Sequence, residues 1–290
     1  MPIAFDGHRQ FADGLLGARF VSEPAIGFDE VMERFEPWHL LRLSRLRARS
    51  PWLALAAGKR NIDVKLEPGE GVGVISTERS SDEWWQGLPK NMKDSVRKAR
   101  KRCEREGGTD VVVSTKSNII DHFELFLKLE SSGWKGARGS DLSHSPKALC
   151  IFRSFLLASD GAQVRTLYIG GGLAASQVTV RMGRTLFLMK IAYEEQLAEF
   201  SPSNVLMADL VDACCEDPGV GSIDCLVWQP WHQRWGMDRE PTYSLTAFNT
   251  KTVRGFARAT WYKRRGIGSI AHRGPKVSHA AGYDDHRATR

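Results

Sequence analysis

The sequence predicts an α/β chain on a mixed sheet, in which an antiparallel meander continues into a β-α-β crossover. Residues 164–193 hold three strand-like segments, VRTLYIG, GGLAASQVTVRM and RTLFLMKIAY, joined by Gly170-Gly171-Gly172 and Met182-Gly183. Those glycines supply the positive φ that tight hairpin turns demand, so the three strands run antiparallel. The segment EEQLAEFSPSNVLMADLVDA then shows helical periodicity, and SIDCLVWQP returns to strand composition. A strand, a helix and a strand in that order form a crossover, with the last strand parallel to the third of the meander.

Other elements follow in chain order. FDEVMERFEPW, residues 28–38, reads as a short amphipathic helix with Val31, Met32 and Phe35 on one side. HLLRLSRL reads as a strand, and Ser50-Pro51 opens a second helix, with Ser at the cap and Pro at the first helical position. Residues 62–76 read as strand and turn. In DEWWQGLPKNMKDSVRKARKRCEREGG, Met92, Val96, Ala99 and Cys103 step by four, three and four. That spacing makes a helix with a narrow apolar stripe and a basic remainder, closed by Gly107-Gly108. TDVVVST is a strand. Residues 118–134 form a helix that buries Ile119, Phe123, Phe126 and Leu127, and residues 146–158 form another. After the crossover a turn leads to a last strand, TYSLTAF. From Gly266 onward Gly, His, Arg and Ser prevail without periodicity, the composition of a disordered tail.

The net charge of +7 over 290 residues is segregated. Residues 39–60 hold six Lys and Arg and no acid; residues 90–106 hold eight against three acids; residues 263–290 hold seven against two. Nucleic acid, anionic lipid or a phosphorylated ligand would be drawn to such segments, while a solvated helix face and a disordered tail account for two of the three. The five cysteines, Cys103, Cys150, Cys214, Cys215 and Cys225, are scattered and lack metal-ligand spacing. They read as reduced thiols of a cytoplasmic protein without a metal site. No apolar run reaches the length of a membrane span, and MPIAFDGHRQ lacks the basic-then-apolar pattern of a secretion signal.

Candidate chemistry gathers around the crossover. A helix opening on Ser-Pro-Ser-Asn leaves first-turn N–H groups beyond the strand ends, where a phosphate or pyrophosphate would bind. The competing reading is a self-contained cap, in which the Ser201 or Ser203 hydroxyl takes those donors. Simple alternation along the third meander strand puts Phe187, Met189, Ile191 and Tyr193 on one face, with Leu186, Leu188, Lys190 and Ala192 on the other. A lysine among leucines either meets a carboxylate or faces a cleft. The cleft is the expectation here, lined also by Gln177 and Thr179, with Asp224 a possible partner for Lys190. Trp228, Trp231 and Trp235 cluster with His232 and Arg234, which suits a sugar or nucleotide face or else a packed corner. His232 is an acid/base candidate only if that corner opens to the cleft.

Three stretches, LPKNMKDSVRKARKRCEREGG, LESSGWK and LFLMKIAYEEQLAEFSPSNVLM, carry a family resemblance in their order and spacing. Over residues 66–265 the chain resembles the GNAT acyltransferase fold. More narrowly, it resembles the CelD-like, FemAB-related branch associated with cellulose and exopolysaccharide biosynthesis. Residues 20–75 resemble the later part of a preceding, truncated GNAT-like unit. The organisation implied is a remnant unit over 1–76, a connecting basic helix over 77–108, an acyltransferase domain over 109–262 and a disordered basic tail over 263–290.

The resemblance implies acetyl-CoA or another acyl-CoA as donor. Its pyrophosphate would lie on Ser201, Ser203, Asn204 and Val205, and backbone N–H groups at Ile191 and Ala192 would stabilise the oxyanion. Ser203 departs from the glycine usual in the family. Trp231-His232 stands before Gln233-Arg234-Trp235 where relatives tend to carry Tyr-Lys before Arg-Trp. Glu130, in the second motif, is the candidate base, or else an ordinary helix-surface glutamate. Lys190 and Asp224 complete the catalytic candidates; Trp134, Lys135, Gln177, Trp231 and His232 are the acceptor-site candidates. Trp134 and Lys135 are expected at the cleft rim near Lys190. Three functions remain: acyl-CoA-dependent N- or O-acyl transfer to a small molecule, sugar or polysaccharide precursor; aminoacyl-tRNA-dependent transfer, with the basic helix on RNA phosphates; and a decayed acyltransferase-like scaffold in exopolysaccharide synthesis.

Overall fold

The computed structural model describes residues 38–48, 50, 52–53, 61–133, 136 and 138–264. The helix expected over 28–38 apart from Trp38, most of the one opening at Ser50-Pro51, and residues 265–290 lie outside them; Lys263 and Arg264, expected to begin the disordered tail, instead close a helix. In order the elements are β1 (Leu40–Arg47), β2 (Ile62–Pro68), β3 (Val72–Ser76), α1 (Ser81–Gly87), α2 (Lys90–Arg105), β4 (Thr109–Val113), α3 (Ile119–Ser132) and α4 (Pro146–Ala158). Then come β5 (Ala162–Ile169), β6 (Gly172–Met182), β7 (Thr185–Tyr193), α5 (Pro202–Glu216), β8 (Ser222–Asp224), α6 (Pro230–Arg234), β9 (Asp238–Glu240), β10 (Thr242–Asn249) and α7 (Val253–Arg264). Short 3-10 turns at Leu142–His144 and Glu195–Phe200 complete the set.

The meander and crossover form as expected. β5, β6 and β7 pair antiparallel, and β7 pairs parallel with β8. Gly170, Gly171 and Gly183 hold φ of 55°, 80° and 59°, which L side chains rarely adopt, so the hairpins turn at those residues. The seven-stranded sheet has the order β4-β5-β6-β7-β8-β3-β9, and a three-stranded sheet has the order β1-β10-β2. Residues 62–76 are thus two strands in different sheets. The break at residues 69–71 is tied to β10 by Gly69 N–H on Thr242 O (2.7 Å) and Gly71 N–H on Thr242 Oγ1 (3.1 Å).

The large sheet is covered on both faces. Under α3 and α4, Phe123, Phe126, Phe152 and Leu156 pack on Val178, Val180, Phe187 and Met189. The Phe123 ring stacks on Phe126 at 5.8 Å and on Phe152 at 6.0 Å. On the other face Leu186, Leu188, Met207 and Val211 meet α1 and α2 through Trp84, Met92 and Val96. Ala99 and Cys103 continue the stripe onto Leu206. All four stripe residues of α2 are therefore buried, and its charges face outward. Two apolar layers against one sheet leave the chemistry to the sheet's end.

Candidate active site

Strand β7 carries an irregularity that decides which side chains meet. Its register with β6 runs Thr179↔Leu188 and then Val178↔Lys190, so Met189 is an extra residue, a β-bulge. An extra residue resets the alternation of side chains. Phe187 and Met189 lie in the core under α3 and α4, as does Ala192. Leu188 and Ile191 belong to the core under α5, and Tyr193 packs with Val205 and Leu206. The simple alternation expected from sequence therefore fails after Met189.

The same bulge turns Lys190 toward α3. Its Nζ lies 2.8 Å from Glu130 Oε1, with side-chain exposures of 6% and 0%, and 5.9 Å from the Phe152 ring centroid. Glu130 Oε2 accepts the Leu142 N–H at 3.0 Å. The lysine thus meets a carboxylate rather than facing a cleft, and one buried carboxylate ties β7 to the turn after α3. Burial of both charges is tolerable because each has a hydrogen-bonded counterpart. Glu130 is no helix-surface glutamate.

Asp224 is engaged elsewhere, which removes it as Lys190's partner. Its Oδ2 pairs with Arg47 of β1, and its Oδ1 accepts the Leu226 N–H at 2.7 Å. Arg47 also reaches Glu240 of β9, so this guanidinium joins the two sheets. Gln177 and Thr179 do not share a lining with Lys190 either. Gln177 is fully buried beneath α5, its Nε2 4.0 Å from Met207 Sδ and its Oε1 without a hydrogen-bond partner. Thr179 Oγ1 donates to Gln163 O at 3.4 Å.

The opening in the sheet lies beside these groups. β8 ends at Asp224, opposite Phe187, while β7 runs six residues further to Tyr193. Past that point Ile191 and Ala192 are in register with Gln177 and Ser176 of β6. The N-terminus of α5 follows directly. Ser201 adopts the left-handed region (φ 50°, ψ 51°), and no side chain caps the helix. Pro202 has no N–H, and the Asn204 and Val205 N–H groups both reach Ser201 O, at 2.9 and 3.2 Å. Ser203 Oγ is buried and lacks a hydrogen-bond partner. The self-contained cap is not formed, and a buried hydroxyl is left over at the position where an anion would lie. Gly133, at the end of α3, approaches the 3-10 turn closely: a Cβ there would sit 3.2 Å from Glu195 Oε1. The second sequence motif therefore ends beside the third, although Trp134 and Lys135 themselves lie outside the described residues.

The tryptophan corner is packed. His232 is fully buried, with Trp231 and Trp228 edge-on at 4.0 and 5.5 Å. Its Nδ1 accepts the Gln229 N–H at 3.1 Å, while Nε2 has no partner. Burial pushes its pKa down to about 4, because a desolvated imidazolium is unfavourable. Gly73 of β3 admits the ring: a Cβ there would lie 2.5 Å from Nδ1. Trp235 stacks on Trp84 at 5.9 Å. Trp228 and Trp231 remain half-buried at the edge of the core that also holds Ile191. Among the described residues no cluster of His, Cys, Asp or Glu has a metal-binding arrangement.

Sequence reasoning missed Arg47, the Glu130–Lys190 contact and the Leu142 N–H. A charged residue inside an apolar strand was the available signal for the second; nothing in the local sequence indicated the first.

Comparison with known proteins accords with this architecture. Residues 90–233 match the family model described as an acetyltransferase (GNAT) domain. The crystal structure of FemX superposes with a TM-score of 0.53 at 11% identity, covering 86% of this chain and 78% of that one. L-PGS from Bacillus licheniformis gives 0.51 at 10% identity, covering 83% and 77%. The C-terminal domain of a putative lysylphosphatidylglycerol synthetase from Agrobacterium fabrum gives 0.50 at 12% identity, covering 81% and 77%. Identities this low speak to the fold alone. No curated protein sequence matches the chain. The matched segment, residues 90–233, includes the buried ion pair, the bulged strand and the uncapped helix, and the fold around them is GNAT-like.

Proposed function

We propose that this protein transfers an acyl group, acetyl in the first instance, from acyl-CoA to an amine or hydroxyl of a small molecule, sugar or polysaccharide precursor. The observation that carries the reading is the uncapped α5 N-terminus, with its unpartnered Ser203 hydroxyl, beside the half of β7 that β8 does not reach. First-turn groups and the helix dipole favour an anion there. In this reading Ser201, Ser203, Asn204 and Val205 hold the pyrophosphate, and Ile191 and Ala192 direct backbone N–H groups at the thioester carbonyl. The acceptor's nucleophilic atom bonds to that carbonyl carbon, the C–S bond breaks, and the acceptor's proton passes to a base while CoA leaves as thiolate. Glu130 is the proposed base, its oxygens exchanging Lys190 or Leu142 N–H for the acceptor; otherwise it is a positioning residue. Trp134, Lys135 and Trp231 remain the proposed acceptor residues, with Gln177 and His232, both fully buried, supporting the wall behind them, and Asp224 acts through Arg47 on the sheet edge.

We assign the chain to the CelD-like, FemAB-related branch, with a cytoplasmic site of action, a remnant unit over 1–76, a connecting basic helix over 77–108 and an acyltransferase domain over 109–262. A second reading, an aminoacyl-tRNA donor, is favoured by Lys98, Lys101 and Arg105, exposed on α2 opposite its buried stripe. A third, a decayed scaffold, draws on Ser203 in place of glycine.

Titration calorimetry with acetyl-CoA and with a charged tRNA separates the three. Binding of acetyl-CoA that survives Ser203→Gly and is lost in Ser203→Val supports the first reading. Binding of charged tRNA alone, falling steeply with salt, supports the second. Binding of neither overturns both in favour of the scaffold.

A further inference from the structure

Helix α7 shows an outward face that the acyltransferase site does not use. It carries three of the five exposed large apolar side chains among the described residues: Val253 at 85% exposure, Phe256 at 60% and Trp261 at 46%. The rotation of the helix is fixed from below. Gly255 and Ala259 are buried, and a Cβ on Gly255 would fall 2.0 Å from Asn249 O. The Tyr262 ring lies 5.2 Å from Phe248, and Lys263 bonds Asp63 at 2.8 Å. Helical spacing then sets Val253, Ala257, Trp261 and Arg264 along one outward row, with Phe256 on one side and Arg254 and Arg258 on the other. No acidic residue occurs in sequence between Glu240 and Asp284.

We infer that this face of α7 docks on an anionic phospholipid surface. Its charge calls for an anionic partner and argues against a second copy, which would bring the same cations. The choice between lipid and RNA follows from the apolar residues. Val253, the most exposed of the three, offers an aliphatic branch with no plane for a base to stack on, whereas the acyl boundary of a bilayer accepts it. Trp261 is a residue suited to the headgroup level, and arginine stems can lie along the apolar layer with their guanidinium groups at the phosphates. α7 rests on β10 in the three-stranded sheet, so the inference holds whichever acyl donor is used.

The test is co-sedimentation of the full chain with vesicles of phosphatidylcholine alone and of phosphatidylcholine with phosphatidylglycerol. Partitioning should be at least about tenfold stronger on the anionic vesicles. Val253→Ser/Phe256→Ser should lower it by about tenfold at unchanged circular dichroism, since both side chains are already in water. Arg254→Gln/Arg258→Gln should lower it similarly and flatten its salt dependence. Lys98→Gln/Lys101→Gln on α2 should leave it unchanged. Absence of pelleting at low salt overturns the inference. So does equal pelleting of the Val253/Phe256 variant, or loss caused equally by the α2 variant, which would reduce the effect to net charge. RNA retention that falls with the α7 variants while vesicle binding does not would reassign the face to nucleic acid.

Discussion

From Thr185 to Phe187 strand β7 is held on both edges, by β6 and by β8; from residue 188 to 193 its pairing among the described strands is with β6. The first half places apolar side chains into the two cores. The second contains the bulge, a buried lysine and the backbone that ends beside α5. One strand thus serves as core and as site, and the change comes where its parallel neighbour stops. A bulge costs little there, because no second ladder has to be kept in step. The comparison shows why the charge is tolerated. Because Met189 is bulged out of register, Lys190 falls on the face where Glu130 waits; were Met189 paired regularly, alternation would drive the ammonium under α5, among Leu188 and Met207.

The largest expected effect comes from breaking the open half. Glu130→Leu takes the carboxylate away from a buried lysine and should cost about 3–5 kcal/mol in urea unfolding. Glu130→Leu/Lys190→Met should recover most of that loss, since a well-packed apolar pair often substitutes for a buried ion pair. A single variant costing under about 1 kcal/mol would mean that the pair is solvated.

Next in size is a pH effect on the paired half, whose neighbour β8 leads into the His232 corner. The folded pKa near 4 lies below the ordinary 6.5, so the unfolded chain binds the proton more readily. Stability should fall as pH drops from about 6.5 to about 4, by up to about 3 kcal/mol, and this contribution should change no further at lower pH. His232→Gln should remove that component from the pH dependence of Tm. Gly73→Ala drives a Cβ into the same ring and should cost roughly 1–3 kcal/mol, by overpacking.

The smallest effect sharpens the comparison most. Gln177→Leu removes an unpartnered buried oxygen and should change stability by less than about 1 kcal/mol. If the proposed acyl-CoA path passes beneath α5, the same variant should weaken acetyl-CoA binding in calorimetry. Unchanged affinity would confine the donor to the Ser203 end.

The paired half was legible in the sequence and the open half was not. Alternation, glycine turns and a switch of period from two to 3.6 are local, and they led correctly to β5, β6, β7 and α5. The bulge is not local: Met189 becomes an extra residue only against β6, so an unbroken alternation put Lys190 on the wrong face. Its partner was misjudged for the same reason. Asp224 is near in topology, but Glu130, sixty residues away, shares the face that the bulge creates. β3 illustrates the limit again. VGVIS reads as a strand anywhere, yet its place between β8 and β9 depends on pairing across most of the chain.

The order β1-β10-β2 also has a consequence for synthesis on the ribosome. β1 and β2 do not pair with each other; each waits for β10, and Leu40 is matched to Phe248. At roughly 5–20 residues per second, about 10–40 s separates the emergence of these two residues. For that interval two nascent strands carry unsatisfied edges, the condition under which chains mispair or recruit chaperones. The three-stranded sheet is therefore expected to close late, after the meander has folded on its short hairpins, and a ribosome-stalled chain lacking β10 should be cleaved by protease before β5.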